Sequence, residues 1–190
     1  MGMELRILDL IQTLRTPLAD SIMCVITRLG NAGAVWILLA VILLVIPKTR
    51  RTGKIVLAAL VIDVLLCNAI LKPLVGRIRP CDVNTAVQLL VARPKDFSFP
   101  SGHTAASFAA VAALYFAGEK RLWKPAALLA VLIAFSRLYL YVHYPTDVLG
   151  GMVFGTISGY LGYRAAEQLR KTTIKNAEQR KISAQQKNQI

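Results

Sequence analysis

The chain has 190 residues, of which 55% are hydrophobic and only 17% are charged, and its mean hydropathy is +0.52. A soluble domain of this length carries more charge, so the composition indicates an integral membrane protein. The formal net charge of +13 does not indicate nucleic-acid binding, because the basic residues lie in short loops and a tail between apolar segments. Such a distribution is typical of a membrane protein that fixes its orientation with Lys and Arg.

The sequence of the first thirty residues predicts amphipathic helices. Residues 3–15 alternate apolar and charged side chains at helical spacing, which is typical of a helix in the membrane interface. Pro17 ends this helix, and residues 18–29 continue as a second helical piece. Residues 5–29 are long enough to cross a bilayer, but their charged and amide side chains make a crossing costly. The pattern allows either a crossing or an interfacial position.

Five apolar stretches follow, and each predicts a membrane-spanning helix. They are residues 31–47, 55–73, 103–117, 125–141 and 148–163. We therefore predict an all-α integral membrane protein, a bundle of five or six transmembrane helices with an amphipathic N-terminal segment. We divide the chain into that segment (residues 1–30), a membrane-embedded core (residues 31–164) and a polar cytoplasmic tail (residues 165–190).

The last predicted span carries Gly151, Gly155 and Gly159 at intervals of four residues. Small residues at this spacing let two helices approach closely in lipid. We expect this glycine stripe to pack within the bundle, and a homodimer is the alternative.

Three polar clusters interrupt the apolar sequence: residues 72–80, residues 100–103 and residues 136–147. The only two histidines of the chain, His103 and His143, lie in the second and third clusters. No span separates the first cluster from the second, and two spans separate the second from the third. All three clusters are therefore expected on the same side of the membrane.

The opposite side carries two basic loops (residues 48–54 and 119–124) and the polar sequence from Arg164 onward, which together hold fourteen of the 23 Lys and Arg residues. By the positive-inside rule that side is cytoplasmic. We therefore predict a multi-pass protein of the plasma membrane, whose polar clusters face the extracytoplasmic side.

The basic and small residues of the clusters are suited to phosphate. Arginine supplies forked donors that match phosphate oxygens, and lysine supplies a point charge. Glycine lets backbone approach a ligand closely, and the free N–H groups at a helix start bind anions. Serine is also a favoured N-cap residue. We predict that Lys72, Arg79, Ser101, Gly102 and Arg137 bind a phosphoryl group.

The histidines supply the reactive groups. His143 and Asp147 lie one helical turn apart, so the carboxylate can accept the Nδ1–H and leave Nε2 free to attack phosphorus. His103 can protonate the leaving oxygen and later activate water. No carboxylate cluster suited to magnesium or zinc accompanies these residues. We therefore predict a reaction through phosphohistidine that needs no metal and no cofactor.

Taken singly, these residues have ordinary alternatives. Lys72 could be a lysine that snorkels at the end of a span, Ser101 a plain helix cap, and the His–Asp spacing a surface pair. Arg77, Arg93 and Lys95 are interpreted as interfacial charges. The functional interpretation is favoured because the residues converge on one membrane face.

The clusters resemble the three signature motifs of the type-2 phosphatidic acid phosphatase superfamily. The matches are Lys72 with Arg79-Pro80 after six residues, Pro100-Ser101-Gly102-His103, and Ser136-Arg137 followed by His143 and Asp147. The resemblance covers about residues 55–163. It implies a helical bundle, usually of six spans, and a metal-independent phosphatase in which His143 is the nucleophile, Asp147 orients it and His103 is the general acid.

The small core without a large extra domain resembles bacterial members of that family. Those members act on undecaprenyl pyrophosphate, phosphatidylglycerophosphate, phosphatidic acid or lipid A phosphates. We expect undecaprenyl pyrophosphate as the substrate, because an outward-facing site suits recycling of a lipid carrier. A lipid phosphotransferase, which passes the phosphate to another lipid instead of water, is the alternative class.

Overall fold

The computed structural model describes residues 2–187, which form helices and connecting turns without a strand. The predicted all-α class is therefore confirmed over this range, while Met1 and residues 188–190 of the predicted tail lie outside it. In chain order the helices are α1 (Met3–Gln12), α2 (Pro17–Leu29), α3 (Ala34–Val45), α4 (Arg50–Asp63), α5 (Lys72–Val75), α6 (Pro80–Val83), α7 (Gly102–Ala117), α8 (Trp123–Tyr139) and α9 (Pro145–Lys187).

The N-terminal segment forms two helices, as predicted, and the sequence explains the break between them. Pro17 takes the first position of α2, where a missing N–H costs nothing, and Thr16 caps the helix by accepting a hydrogen bond from the Ala19 N–H at 3.2 Å. Helix α1 buries Leu5 and Leu8 against the rest of the protein. Its other face is apolar and exposed, with Leu10 70% accessible.

Helices α2 and α3 meet at a bend of 46°. The short 3-10 helix Asn31–Gly33 forms this corner, and both Ala32 (φ 51°) and Gly33 (φ 68°) adopt left-handed backbone there. The sequence predicted one apolar span beginning at residue 31, so the corner was not expected.

A π-helix, Val64–Leu71, continues α4 directly into α5. Segments of π-helix widen the turn and are common at functional sites. Within the described residues, the stretch Arg50–Val83 is the one helical run that is long and apolar enough to cross a membrane on its own. The bent pair α2–α3 would be a second span if the two helices cross together.

The predicted number of five or six spans is therefore not confirmed by helix length and composition. Helix α3 has 12 residues, α7 has 16 and α8 has 17. Each is shorter than the roughly 20 residues that an untilted span requires. Helix α9 is long, but it continues as one helix into the polar tail, so apolar and charged residues share one element.

Close packing of α7 against α9 forms the centre of the bundle. A Cβ atom at Gly155 would collide with the backbone oxygen of Ala105, and one at Gly159 would lie 2.6 Å from the backbone oxygen of Ala109. The glycine stripe is thus covered by α7, as predicted for packing within the bundle. This contact places the start of α7 beside the start of α9.

The two basic loops lie at the other end of the bundle. Arg51 Nε donates to Glu167 Oε1 at 2.6 Å, and Thr52 Oγ1 donates to Glu119 Oε1 at 2.7 Å. The first loop therefore contacts both the second loop and the tail side of α9. Helix α7 begins at the second polar cluster and ends beside the second loop, so the polar clusters and the basic loops lie at opposite ends of the bundle.

We predict that Gly155→Ala lowers the melting temperature of the protein in detergent. The added methyl group forces α7 and α9 apart, and overpacking of this kind typically costs about 1–3 kcal/mol. The measurement is thermal unfolding followed by circular dichroism. Thr156→Ala, on an exposed position of the same helix, is the matched control. Equal melting temperatures for both variants would contradict the close helix contact.

Candidate active site

One cavity of about 970 Å³ receives side chains from all three polar clusters. The predicted site residues that line it are Lys72, Arg79, Gly102, His103, Arg137 and His143. The remaining two, Ser101 and Asp147, are buried behind the cavity wall. The structure therefore brings the predicted residues to one place, although they are distant in the sequence.

His143 lies in the short turn between α8 and α9, where it is almost completely buried. Tyr141 in the same turn has a φ of 59°, a backbone conformation that costs energy for a bulky residue. Its hydroxyl donates to Asp9 Oδ1 at 2.7 Å, which helps to hold the turn. Burial, assisted by the positive charges of Arg79 and Arg137, lowers the pKa of His143 to about 3. The imidazole is therefore neutral at pH 7.

Arg79 determines which nitrogen of His143 carries the proton. Its Nη1 lies 3.1 Å from His143 Nε2 and donates to the backbone oxygen of Val142 at 2.7 Å. A guanidinium can only donate, so Nε2 must offer its lone pair and the proton resides on Nδ1. This is the tautomer that a nucleophilic Nε2 requires.

Asp147 lies behind the imidazole and is held by several donors. Its Oδ2 accepts from Ser98 Oγ at 2.5 Å and from the Tyr144 N–H at 2.8 Å. The same oxygen is 3.5 Å from His143 Nδ1, which is longer than a normal hydrogen bond. Catalytic hydrogen bonds are often long in free enzymes and tighten when substrate binds. The carboxylate is thus fixed on the Nδ1 side of the ring.

Arg77 belongs to this network, and its interpretation as an interfacial charge was wrong. Its Nη1 donates to Asp147 Oδ1 at 2.6 Å, and its guanidinium lies 4.0 Å from the centre of the Tyr144 ring. The buried carboxylate needs a cation, which Arg77 supplies. The sequence feature that could have placed Arg77 in the site is its position inside the first cluster, two residues before Arg79.

Asp96 is a second residue that the sequence analysis missed. Its carboxylate lies between two predicted phosphate-binding cations: Oδ1 accepts from Arg79 Nη2 at 2.7 Å, and Oδ2 pairs with Lys72 Nζ. Partial burial would raise its pKa, but the two cations lower the pKa of Asp96 to about 2. The side chain remains 51% exposed. The sequence feature that could have pointed to Asp96 is its isolation, because no other acidic residue occurs between residues 83 and 118.

His103 occupies the second position of α7 and contacts the corner between α2 and α3. Its Nε2 lies 2.9 Å from Asn31 Oδ1. An amide oxygen accepts, so this contact favours a proton on Nε2 of His103. A Cβ atom at Gly30 would lie 2.9 Å from the same ring, so glycine permits the approach. Asn31 was not predicted, because it stood at the start of an apolar span.

Ser101 and Gly102 differ in how they contribute. Ser101 occupies the N-cap position of α7, as expected, but its side chain makes no capping bond and instead accepts from Thr104 Oγ1 at 3.0 Å. Gly102 lines the cavity, and a Cβ atom there would lie 3.6 Å from Lys72 Nζ. The structure therefore orients Gly102, but not the Ser101 hydroxyl, towards the cavity.

Arg137 is buried at the cavity wall. Its Nη1 donates to Thr27 Oγ1 at 2.5 Å, while its Nε has no hydrogen-bond partner among the described residues. A buried donor without a partner is costly. An anion in the cavity could accept from it, which agrees with the predicted phosphate-binding role.

Solved structures of known proteins share this fold. The protein LpxE of Aquifex aeolicus is 30% identical with a TM-score of 0.74, and the match covers 86% of this chain and 96% of that chain. A transmembrane PAP2-type phosphatidylglycerolphosphate phosphatase from Bacillus subtilis is 29% identical with a TM-score of 0.71, covering 87% of this chain and 85% of that chain.

The sequence comparisons agree with the structural ones. An undecaprenyl-diphosphatase of Bacillus subtilis is 36% identical over 155 residues, which are 80% of this chain and 77% of the relative. The family model described as the PAP2 superfamily matches residues 52–171, which include all three polar clusters. With the motif residues assembled around one cavity and most of its length matched by the family model, the chain belongs to the PAP2 superfamily, as its motifs predicted.

Proposed function

We propose that this protein is an integral membrane lipid phosphatase that hydrolyses a lipid phosphate or diphosphate through a phosphohistidine. The observation that carries the proposal is the environment of His143, whose Nε2 faces Arg79 at 3.1 Å while Asp147 lies on the Nδ1 side at 3.5 Å. A buried, neutral imidazole with a fixed tautomer is what nucleophilic attack on phosphorus requires. Relatives named as lipid phosphatases support the same reaction class.

In the first step, Lys72, Arg79 and Arg137 hold the phosphoryl oxygens and stabilise the charge that develops on them. Nε2 of His143 attacks phosphorus, and the bond between phosphorus and the leaving oxygen breaks. Asp147 stabilises the positive charge that forms on the imidazole. His103, which takes up a proton when the substrate anion lies beside it, donates that proton to the leaving oxygen.

In the second step, water attacks the phosphohistidine and the bond between nitrogen and phosphorus breaks. His103, now neutral, accepts a proton from that water. Asn31 holds the Nε2–H of His103, so Nδ1 is the nitrogen that exchanges the proton. Inorganic phosphate leaves, and His143 returns to its starting state.

We propose that the bundle is embedded in the plasma membrane as a multi-pass protein, with the cavity on the extracytoplasmic side. Large apolar side chains exposed on α3, α8 and α9 support a lipid surrounding; Leu38, Val41, Leu128, Val131 and Val153 are examples. The basic loops at the end remote from the cavity support a cytoplasmic position for that end. The number of spans, five or six, is part of this proposal.

For the substrate we propose undecaprenyl pyrophosphate. A relative with this activity in its name supports this choice, and the proposed outward orientation of the site suits recycling of a lipid carrier. Phosphatidylglycerophosphate is the next candidate, because a structural relative is named for it. Phosphatidic acid and lipid A phosphates follow.

We predict that purified protein in detergent releases inorganic phosphate from undecaprenyl pyrophosphate faster than from phosphatidylglycerophosphate, phosphatidic acid or a lipid A phosphate. His143→Ala should lower the rate by at least about 10³-fold, because loss of a catalytic nucleophile has effects of this order or larger. Thr156→Ala is the control, with thermal unfolding to verify the fold of both variants. Unchanged release by His143→Ala would eliminate the proposed mechanism, and transfer of phosphate to a lipid acceptor would favour a phosphotransferase.

We also predict that phosphate release persists in an excess of EDTA. Histidine and arginine side chains supply the nucleophile and the charge stabilisation, so no divalent cation is needed. The measurement is the initial rate before and after dialysis against the chelator. A rate that disappears and returns with added magnesium would refute the metal-free reaction.

Asp96 should compete with the substrate phosphate for Lys72 and Arg79. We predict that Asp96→Asn strengthens inhibition by inorganic phosphate about 2- to 5-fold, because partly exposed ion pairs contribute about 0.2–1 kcal/mol. The measurement is the inhibition constant at pH 7, where Asp96 is ionised. Asp82→Asn is the matched control, since Asp82 pairs with Arg93 instead. Weaker inhibition in Asp96→Asn would mean that Asp96 positions the two cations and does not compete.

A further inference from the structure

The carboxylate of Glu4, on α1, contacts two residues that adjoin Asp147. Its Oε2 accepts from Arg77 Nη2 at 2.5 Å. Its Oε1 accepts from the Thr146 N–H at 3.1 Å and from Thr146 Oγ1 at 2.7 Å. Glu4 therefore bridges the first polar cluster and the first turn of α9, where free N–H groups favour a negative charge.

Arg77 transmits this contact to the candidate active site. The guanidinium that binds Glu4 through Nη2 binds Asp147 Oδ1 and Thr146 Oγ1 through Nη1, both at 2.6 Å. Asp147 in turn faces Nδ1 of His143. Without Glu4, Nη2 of Arg77 would lose its carboxylate partner, and the guanidinium that pairs with Asp147 would be held less firmly.

Helix α1 is built to hold Glu4 there. Leu5 and Leu8 pack against Tyr141 and Tyr144 of the turn that carries His143. One turn further along, Asp9 accepts a hydrogen bond from the Tyr141 hydroxyl at 2.7 Å. Asp9 thus anchors the same helix to the same turn without any contact to Arg77 or Asp147 in the described structure.

We propose that Glu4 is a positioning residue for hydrolysis: through Arg77 and the first turn of α9 it holds Asp147 against Nδ1 of His143. This inference rests on the proposed function for its kinetic consequence. Glu4 touches neither substrate nor the reacting atoms. It acts on the orientation of Asp147 towards the nucleophile, so it affects the transition state more than substrate binding.

The kinetic test compares variants of full-length protein in detergent. Glu4→Ala should lower kcat about 10-fold with little change in KM, and Glu4→Gln, which retains an acceptor for the Thr146 N–H, should lower it less. Gln12→Ala removes the 2.8 Å hydrogen bond from Gln12 Nε2 to the Tyr139 backbone oxygen and so also loosens α1, but it should leave kcat within about twofold. An equal loss in Glu4→Ala and Gln12→Ala, or a loss confined to KM, would overturn the proposal.

A double-mutant cycle separates transmission through Arg77 from a general effect on the fold. If Glu4 acts through Arg77, Glu4→Ala should have little further effect on kcat in an Arg77→Ala background. Fully additive losses would show that the two residues act independently and would contradict the proposed chain of contacts.

A spectroscopic test does not depend on turnover. The chain has two histidines, so protein labelled with ¹⁵N-histidine gives two imidazole spectra, and His103→Gln assigns them. Arg79 keeps the proton of His143 on Nδ1, so Glu4→Ala should shift the Nδ1–H resonance, which reports the distance to Asp147, while Gln12→Ala should not. An unchanged His143 spectrum in Glu4→Ala would overturn the inference even if the wild-type protein is active. Inactivity of wild-type protein towards every lipid phosphate would contradict the proposed function, and this spectrum would still decide the role of Glu4.

Discussion

The buried carboxylate of Asp147 is the constraint on which the site depends. A charge removed from water must be paired and hydrogen-bonded, or it destabilises the fold. Here the donors come from distant parts of the chain: Arg77 in the first polar cluster, Ser98 just before the second, and the Tyr144 N–H in the third. Satisfying this one carboxylate therefore draws the three clusters together. The close glycine contact between α7 and α9 brings their helix starts near enough for this to happen.

The imidazole of His143 lies between two opposite charges. Asp147 is on its Nδ1 side, and Arg79 is on its Nε2 side. Burial keeps the ring neutral, while the two neighbours determine where its proton resides. Asp96 balances the positive charge of Arg79 and Lys72. The cations that we propose to stabilise a phosphoryl group are thus paired with an acid in the structure.

Residues outside the region matched by the family model also reach the site. The match begins at residue 52, yet Glu4 binds Arg77, Thr27 accepts from Arg137, and Asn31 contacts His103. The N-terminal helices are therefore more than an interfacial attachment. They supply hydrogen-bond partners to residues of all three polar clusters, and those partners fix orientations that the motif residues alone do not determine.

The sequence by itself determined the helical class, the family and six of the residues that line one cavity, because the apolar periodicity and the motif spacings are local patterns. It did not determine Arg77, Asp96, Asn31 or Glu4 as members of the site. Their partners are 17 to 142 residues away in the chain, and contacts at such separations leave no periodic pattern. The π-helix and the corner between α2 and α3 were also decided by tertiary structure. Both contribute to the cavity lining, through Asn68 and Asn31, and packing there overrides local helix preference.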